Sequence, residues 1–307
     1  MKRSKKVKEL ETFLNGPEEV GSPENDANAL NQNVPIIEKA NESENGDSGA
    51  GANEAVIGEH ESALTATQTA PIKMRRNLWS LFFKRFFDII ISLLALIILS
   101  PVMLIVAVLI RIKLGGPVIF SQYRPGKNNK VFKLYKFRTM SNKTDKDGNL
   151  LPDAERMTKF GNALRKTSLD ELPQLINILK GDMSIIGPRP KLVRDMVFYN
   201  EDQNVRALVR PGLTGLAQVN GRNNATWEEI FEYDKTYVQK IGFWTDFKIF
   251  FKTIGKVIGK KDIVEQNQAK QNYYFGDYLL ETNQISFDDY MAHQREAEDI
   301  IKQASGK

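Results

Sequence analysis

Two adjacent carboxylates, Asp170 and Glu171, sit in the run Ser168-Leu169-Asp170-Glu171-Leu172-Pro173-Gln174-Leu175. Such a pair can supply a nucleophile, a general base or oxygen ligands for a metal. The chain offers few other routes to chemistry. It has no cysteine, which removes thiolate nucleophiles, disulfides and Cys-ligated zinc. Its two histidines, His60 and His293, lie in polar flanking regions. Chemistry in the central region therefore falls to carboxylates, Lys, Arg, hydroxyls or a metal held by oxygen.

The element that carries the acids is a helix start. Leu172, Leu175, Ile176 and Leu179 recur at helical spacing, and Gly181 can end the helix. Two cappings fit. Ser168 with Glu171 forms a capping box, or Asp170 is the cap with Pro173 in the first turn. Both put the acids at a helix N-terminus, where the dipole favours carboxylates and bound phosphate. Read alone, the motif is that of a capped helix. Three basic segments give it other company: Lys136-Phe137-Arg138-Thr139-Met140, Gly187-Pro188-Arg189-Pro190, and Arg210-Pro211-Gly212 leading to Asn220-Gly221-Arg222. Arg165 lies five residues before Asp170. Arginines on proline-stiffened turns suit bidentate binding of phosphate.

The charge distribution agrees. Residues 1–70 hold 6 basic and 13 acidic residues, a net of −7 in a chain of net +5, so the remainder carries +12. A basic body suits phosphate ligands or anionic lipid. Residues 1–75 lack apolar periodicity and read as a disordered acidic tail. Residues 76–113 begin with aromatic and basic residues suited to a membrane interface. They continue into Ile89–Ile110, 22 residues without a charge and long enough to span a bilayer. Ser100-Pro101 breaks this run and both flanks are basic. A bent helix returning to the face it entered satisfies both flanks; a kinked spanning helix remains the alternative.

Residues 114–261 read as the catalytic region. Val118–Arg124 and Val131–Thr139 predict a β-hairpin around Pro125–Lys130. Residues 154–180 predict helix broken near Lys166-Thr167. Phe243–Lys261 predicts an amphipathic helix, with Phe243, Phe247, Phe250, Phe251, Ile254, Val257 and Ile258 opposite Lys248, Lys252, Lys256 and Lys260. Residues 262–307 form a polar, partly helical extension. The fold class is α+β, mostly helical: a membrane helix, re-entrant or kinked and spanning, with amphipathic interfacial helices and a small β-hairpin around a cytoplasmic active site.

In their order along the chain these segments resemble the bacterial sugar transferases, the monotopic phosphoglycosyl transferases of polyprenol phosphate. The likeness covers about residues 84–258. It includes Lys84–Asp88, the Ser100-Pro101 break, Phe120–Gly126, Lys136–Met140, Ser168–Leu175, Gly187–Pro190 and Arg210–Asn223. It implies transfer of a sugar 1-phosphate from a nucleotide sugar, with UDP as the expected carrier, to undecaprenyl phosphate, releasing nucleoside monophosphate. This is the first step of exopolysaccharide, capsule or glycan assembly. It implies Asp170 as nucleophile, Glu171 as its partner, Mg2+ held by Asp170 and Glu171, and Lys136, Arg165, Arg189 and Arg222 around the substrate phosphates. It also implies a re-entrant helix and the cytoplasmic face of the bacterial cell membrane. Downstream glycosyltransferases and a second copy of the chain are the protein partners left open.

Two other functions stay open on sequence. One is a lipid-directed glycosyltransferase that moves the sugar alone, with Asp145-Lys146-Asp147 as a metal-binding acidic pair in a polar loop. The other is a non-catalytic membrane scaffold for polysaccharide assembly. No nucleic-acid-binding motif accompanies the basic residues.

Overall fold

The computed structural model describes residues 74–221, 225–259 and 274–306. The acidic tail as far as residue 73, Arg222, Lys260-Lys261 and the side chains of Val257 and Ile258 lie outside the described residues.

A π-helical turn, Trp79–Phe83, feeds helix α1, Lys84–Lys113. Among the described residues α1 is the one helix long and apolar enough to cross a membrane. Proline at 101 removes the donor that Ile97 O would receive. The Ser100 hydroxyl supplies one instead, at 2.8 Å, so the Ser-Pro pair is tolerated inside a continuous helix. Around it Ile97, Ile98, Leu104 and Ile105 are 60–71% exposed. On either side of this exposed stretch α1 packs on the same body. Arg85 donates to Ile178 O and Leu179 O, at 2.6 and 2.9 Å. Ala95 and Leu96 meet Leu134, Leu175, Ile178 and Met183. Beyond the proline, Val106, Ile110 and Leu114 join Phe137 and Leu164.

The hairpin forms as β1, Ile119–Pro125, antiparallel to β2, Val131–Phe137, with Ile119 opposite Phe137 and Pro125 opposite Val131. It begins and ends one residue later on β1 than expected and stops two residues earlier on β2. Helix α2, Lys159–Lys166, and helix α3, Gln174–Lys180, flank the predicted break. Gly181 ends α3 with φ +95°, and Arg210 Nε donates to its carbonyl at 2.8 Å. Arg210 thus clamps the helix end through its Nε. Strands β3, Ser184–Ile186, and β4, Gly212–Thr214, pair in parallel. Gly187 and Gly212 cross so closely that a Cβ on Gly212 would meet Gly187 N at 2.1 Å, which fixes the start of the Gly187–Pro190 loop.

Helix α4, Trp227–Lys240, opens on a capping box between Thr226 and Glu229. Helix α5, Phe243–Gly259, is three-sided. It buries Asp246 and Ile249 against the body and exposes Lys248 and Lys252. On the remaining side it presents Phe243, Trp244, Phe247, Phe251 and Ile254 to the exterior. These rings continue the row that starts at Trp79, whose centroid lies 5.0 Å from that of Phe243 and 5.4 Å from that of Phe87. Helices α6, Phe275–Glu281, and α7, Phe287–Ser305, fold back through an aromatic cluster of Phe198, Phe231 and Phe275 with Tyr199, Trp227, Tyr278 and Tyr290. Each ring buried there contributes about 1.5–3 kcal/mol.

Candidate active site

Neither capping expected from the sequence occurs. Thr167 closes α2, and Ser168 turns the chain in the left-handed region at φ +55°, with no side-chain cap bond. Residues Leu169–Glu171 form a single 3-10 turn, and Pro173 precedes α3. Leu169 and Leu172 pack inward against the Val106–Leu164 cluster. The intervening acids are therefore presented on the other side of the turn, with neither spent on the helix start.

Three elements converge on them. Lys136 shares the inward parity of Phe132 and Leu134 on β2, so the strand aims a cation where its neighbours supply core. Its Nζ donates to Glu171 Oε1 at 3.2 Å. Arg189 reaches the same oxygen from the loop after β3, Nη2 to Oε1 at 2.6 Å. The prolines beside it restrict the backbone, and Arg206 Nη2 holds Arg189 O at 2.6 Å. The Arg189 side chain is still 44% exposed, so it can also serve a ligand. Arg165 approaches from α2. A Thr158 cap starts that helix, and Gly161 lies against Thr139, whose carbonyl oxygen would sit 1.7 Å from any added Cβ. Arg165 Nε then donates to Thr139 Oγ1 at 3.1 Å.

The two acids differ in chemistry. Burial alone would raise Glu171, but the charges and hydrogen bonds of Arg189 and Lys136 hold it down at about 2. Asp170 is buried at 7% exposure and accepts no hydrogen bond from the described residues. Burial raises its pKa, Lys136 opposes this, the Glu171 charge adds to the rise, and Arg165 and Arg189 oppose it further. One carboxylate is thus a fixed anion, while the other is available and more basic than usual. Both bonds to Glu171 fall on Oε1. Glu171 Oε2 and the Asp170 oxygens form a hard-oxygen set of the size magnesium uses when phosphate and water complete its shell. Among the described residues no group of three or more His, Cys, Asp or Glu side chains could hold a metal alone.

Lys136, Arg165, Asp170, Glu171 and Arg189 of the sequence-derived set come together. Arg222 lies outside the described residues. Sequence reading missed Arg124, whose charge bears on Lys136, and Arg206. Arg124 directly precedes Pro125, which was the available signal, whereas Arg206 lies in a short 3-10 helix, Val205–Leu208, with no local signal. The pair at Asp145 and Asp147 stays exposed, with Asp145 Oδ1 accepting from the backbone of Asp147 and Asn149.

A second buried acid also escaped notice. Asp246 on α5 accepts from Trp79 Nε1 at 2.8 Å, Lys84 Nζ at 2.9 Å and Tyr237 OH at 2.9 Å. The Tyr237 hydroxyl also lies 3.1 Å from Ile186 O, at the end of β3, so its single proton is shared between the two acceptors. Asp88 in α1 accepts from Ser184 Oγ and Ile185 N, both at 3.0 Å. The base of α1 is thereby tied to the strand that leads to Arg189.

Comparison with known proteins places this geometry. The family model of the bacterial sugar transferases matches residues 79–260. The sugar transferase EpsL of Bacillus subtilis is 46% identical over 193 residues, 63% of this chain and 96% of EpsL. The undecaprenyl-phosphate galactose phosphotransferase of Salmonella typhimurium is 40% identical over 201 residues, 60% of this chain and 42% of that protein. The UDP-glucose:undecaprenyl-phosphate glucose-1-phosphate transferase of Klebsiella pneumoniae is 42% identical over 187 residues, 58% of this chain and 40% of that protein. The match thus spans nearly all of EpsL and about two fifths of the two larger relatives.

Proposed function

The chain belongs to the bacterial sugar transferase family, and from that premise we propose that it moves a sugar 1-phosphate from a UDP-sugar to undecaprenyl phosphate. The observation that carries this reading is the contrast at the crossing of β2, the 169–171 turn and the 187–190 loop. Asp170 is buried, unbonded and basic for an aspartate, beside a Glu171 already neutralised by Lys136 and Arg189.

An Asp170 oxygen attacks the phosphorus that bears the sugar. The bond from that phosphorus to the bridging oxygen breaks, and UMP leaves with the electron pair. A phosphosugar remains as a mixed anhydride on Asp170. An oxygen of undecaprenyl phosphate then attacks the same phosphorus, the anhydride bond breaks, and the carboxylate returns. The product is a sugar linked by diphosphate to the lipid, ready for elongation by downstream glycosyltransferases. Covalent catalysis divides one transfer between two anions into two steps. Lys136, Arg165 and Arg189 offset the charge that gathers at phosphorus. Bound to Asp170 and Glu171, magnesium would supply further positive charge toward the diphosphate.

The same reading places the enzyme at the cytoplasmic face, with α1 re-entrant. Its support is that residues of α1 on both sides of Pro101 pack on one body while the Ser100-Pro101 stretch is exposed. A straight helix of 30 residues is about 45 Å long, more than the roughly 30 Å hydrocarbon core, so its ends would emerge on opposite sides. The aromatic row from Phe87 through Trp79 and Phe243 to Phe251, with Lys248 and Lys252 alongside, suits the headgroup layer.

Incubation with a UDP-sugar and magnesium, without lipid acceptor, should add one sugar phosphate to the peptide containing Asp170, and undecaprenyl phosphate should remove it. A peptide that stays unmodified while product forms refutes the covalent step. Single cysteines at Ser80 and Ser121 should react with an impermeant thiol reagent from the same side of sealed vesicles; labelling from opposite sides refutes the re-entrant path.

A further inference from the structure

A small cleft adjoins the carboxylate crossing through Arg189. Its walls are largely flat and apolar, formed by Pro125, Pro188, Pro190, Pro211 and Met196, and the hairpin turn closes it with Gly126 and Asn129. Asn129 is left-handed at φ +59°, and the turn is held by its own bonds, Gly126 N to Lys130 O at 3.0 Å and Asn129 N to Gly126 O at 3.2 Å, so it forms a fixed wall.

The cations lining the cleft are unequally committed. Arg189 is paired with Glu171. Arg206 is paired with Asp234 at 3.0 Å and donates to Tyr199 OH and Arg189 O. Lys191 has no ion pair or hydrogen bond among the described residues. Its ammonium stands 4.2 Å above the Trp227 ring, and that ring is held in turn by Phe275 of α6 at 5.1 Å. Burial and then the Arg206 charge lower the Lys191 pKa to about 8, against the smaller opposing pull of Asp195 and Asp234. Flat apolar walls and an ammonium with no hydrogen bond or ion pair of its own form a recognition set for a planar base carrying a phosphate.

We propose that this cleft seats the nucleoside monophosphate half of the donor, with Lys191 as a phosphate-binding residue and the proline walls against the base. The inference rests on the transfer reaction proposed above and assigns one of its substrates a place. The phosphate of the lipid acceptor is the other source of the same charge. It must arrive from the membrane side, and none of the lining residues belongs to Trp79–Phe83, α1 or α5.

The test measures UMP affinity of the purified full-length protein in lipid nanodiscs, together with donor and acceptor KM. Lys191→Met should weaken UMP binding and raise donor KM about tenfold, the size of one charge-assisted contact. The acceptor KM should hold, and Lys191→Arg should recover most of the loss. Melting temperatures within a degree or two of the parent would show that both variants fold. Should Lys191→Met misfold, protection of Lys191 from amine acylation by UMP in the unaltered protein gives the same answer. Unchanged UMP affinity, no protection, or a rise confined to acceptor KM would overturn the assignment. Labelling of Asp170 separates the two levels. A protein that labels Asp170 but ignores Lys191 refutes the cleft alone. One that never labels Asp170 refutes the underlying reaction.

Discussion

Asp170 and Asp246 are both aspartates buried to less than 10% exposure in one catalytic body, and they are treated in opposite ways. Asp246 receives a hydrogen bond from an indole, an ammonium and a phenol. Burial, followed by the charge of Asp246, drives the Tyr237 phenol far up its scale, which keeps it a donor. Asp170 receives no hydrogen bond from the described residues, and its neighbours act on it through charge alone. A buried carboxylate whose lone pairs are filled holds elements together. One whose lone pairs are free is a nucleophile kept ready, and its desolvation is the cost of that readiness. The first joins the membrane lead-in, α1, α4 and α5; the second faces the cations of β2, α2 and the 187–190 loop.

The comparison breaks most visibly at Asp170. Replacement by Asn keeps the shape and removes the nucleophile, so UMP release should fall by about three orders of magnitude or more. Stability should scarcely change, because no hydrogen bond is lost. A folded Asp170→Asn enzyme that retains near-normal turnover would return the residue to a structural role. Asp246→Ala should do the reverse. It leaves Lys84, Trp79 Nε1 and Tyr237 OH without their shared acceptor. Breaking a buried charged pair typically costs about 3–5 kcal/mol. A lowered melting temperature, with turnover per folded molecule largely kept, is the expected result. If Asp246→Ala is as stable as the parent but inactive, the division of roles fails.

How far the sequence carries this contrast depends on the range of the interactions. The apolar run with its proline, the hairpin and the helix break near residue 167 rest on local periodicity and turn residues, and they form close to where that periodicity puts them. The fate of Glu171 rests on partners 35 and 18 residues away. No local rule could therefore choose between a capping box and an ion pair. Ser168 adopts a left-handed turn that its residue type does not announce. Arg210 resembled the other turn arginines, and only the crossing of β3 and β4 turns it toward Gly181. Asp246 was hidden because α5 read as two faces, one apolar and one basic. The third face, which packs on the body, carries a carboxylate whose partners lie 162 and 167 residues away at Lys84 and Trp79.

The smallest effect is also the most specific. Nucleophilic attack needs ionised Asp170. Its pKa is raised, first by burial, so activity should be present above that raised value and fall as pH drops through it. The fall should approach about tenfold per pH unit, with a midpoint above the ordinary aspartate value of about 3.9. Glu171, held at about 2, stays ionised across this range and adds no second step. The reading belongs on the UMP burst without acceptor, where the titrating phosphate of undecaprenyl phosphate plays no part. Lys136 is the strongest of the charges that hold Asp170 down, so Lys136→Met should move the midpoint upward. A variant at Asp246 mild enough to fold, such as Asp246→Asn, should leave the midpoint in place. A midpoint at or below the ordinary value, or one that follows Asp246 rather than Lys136, would show that the reactive carboxylate has been misidentified.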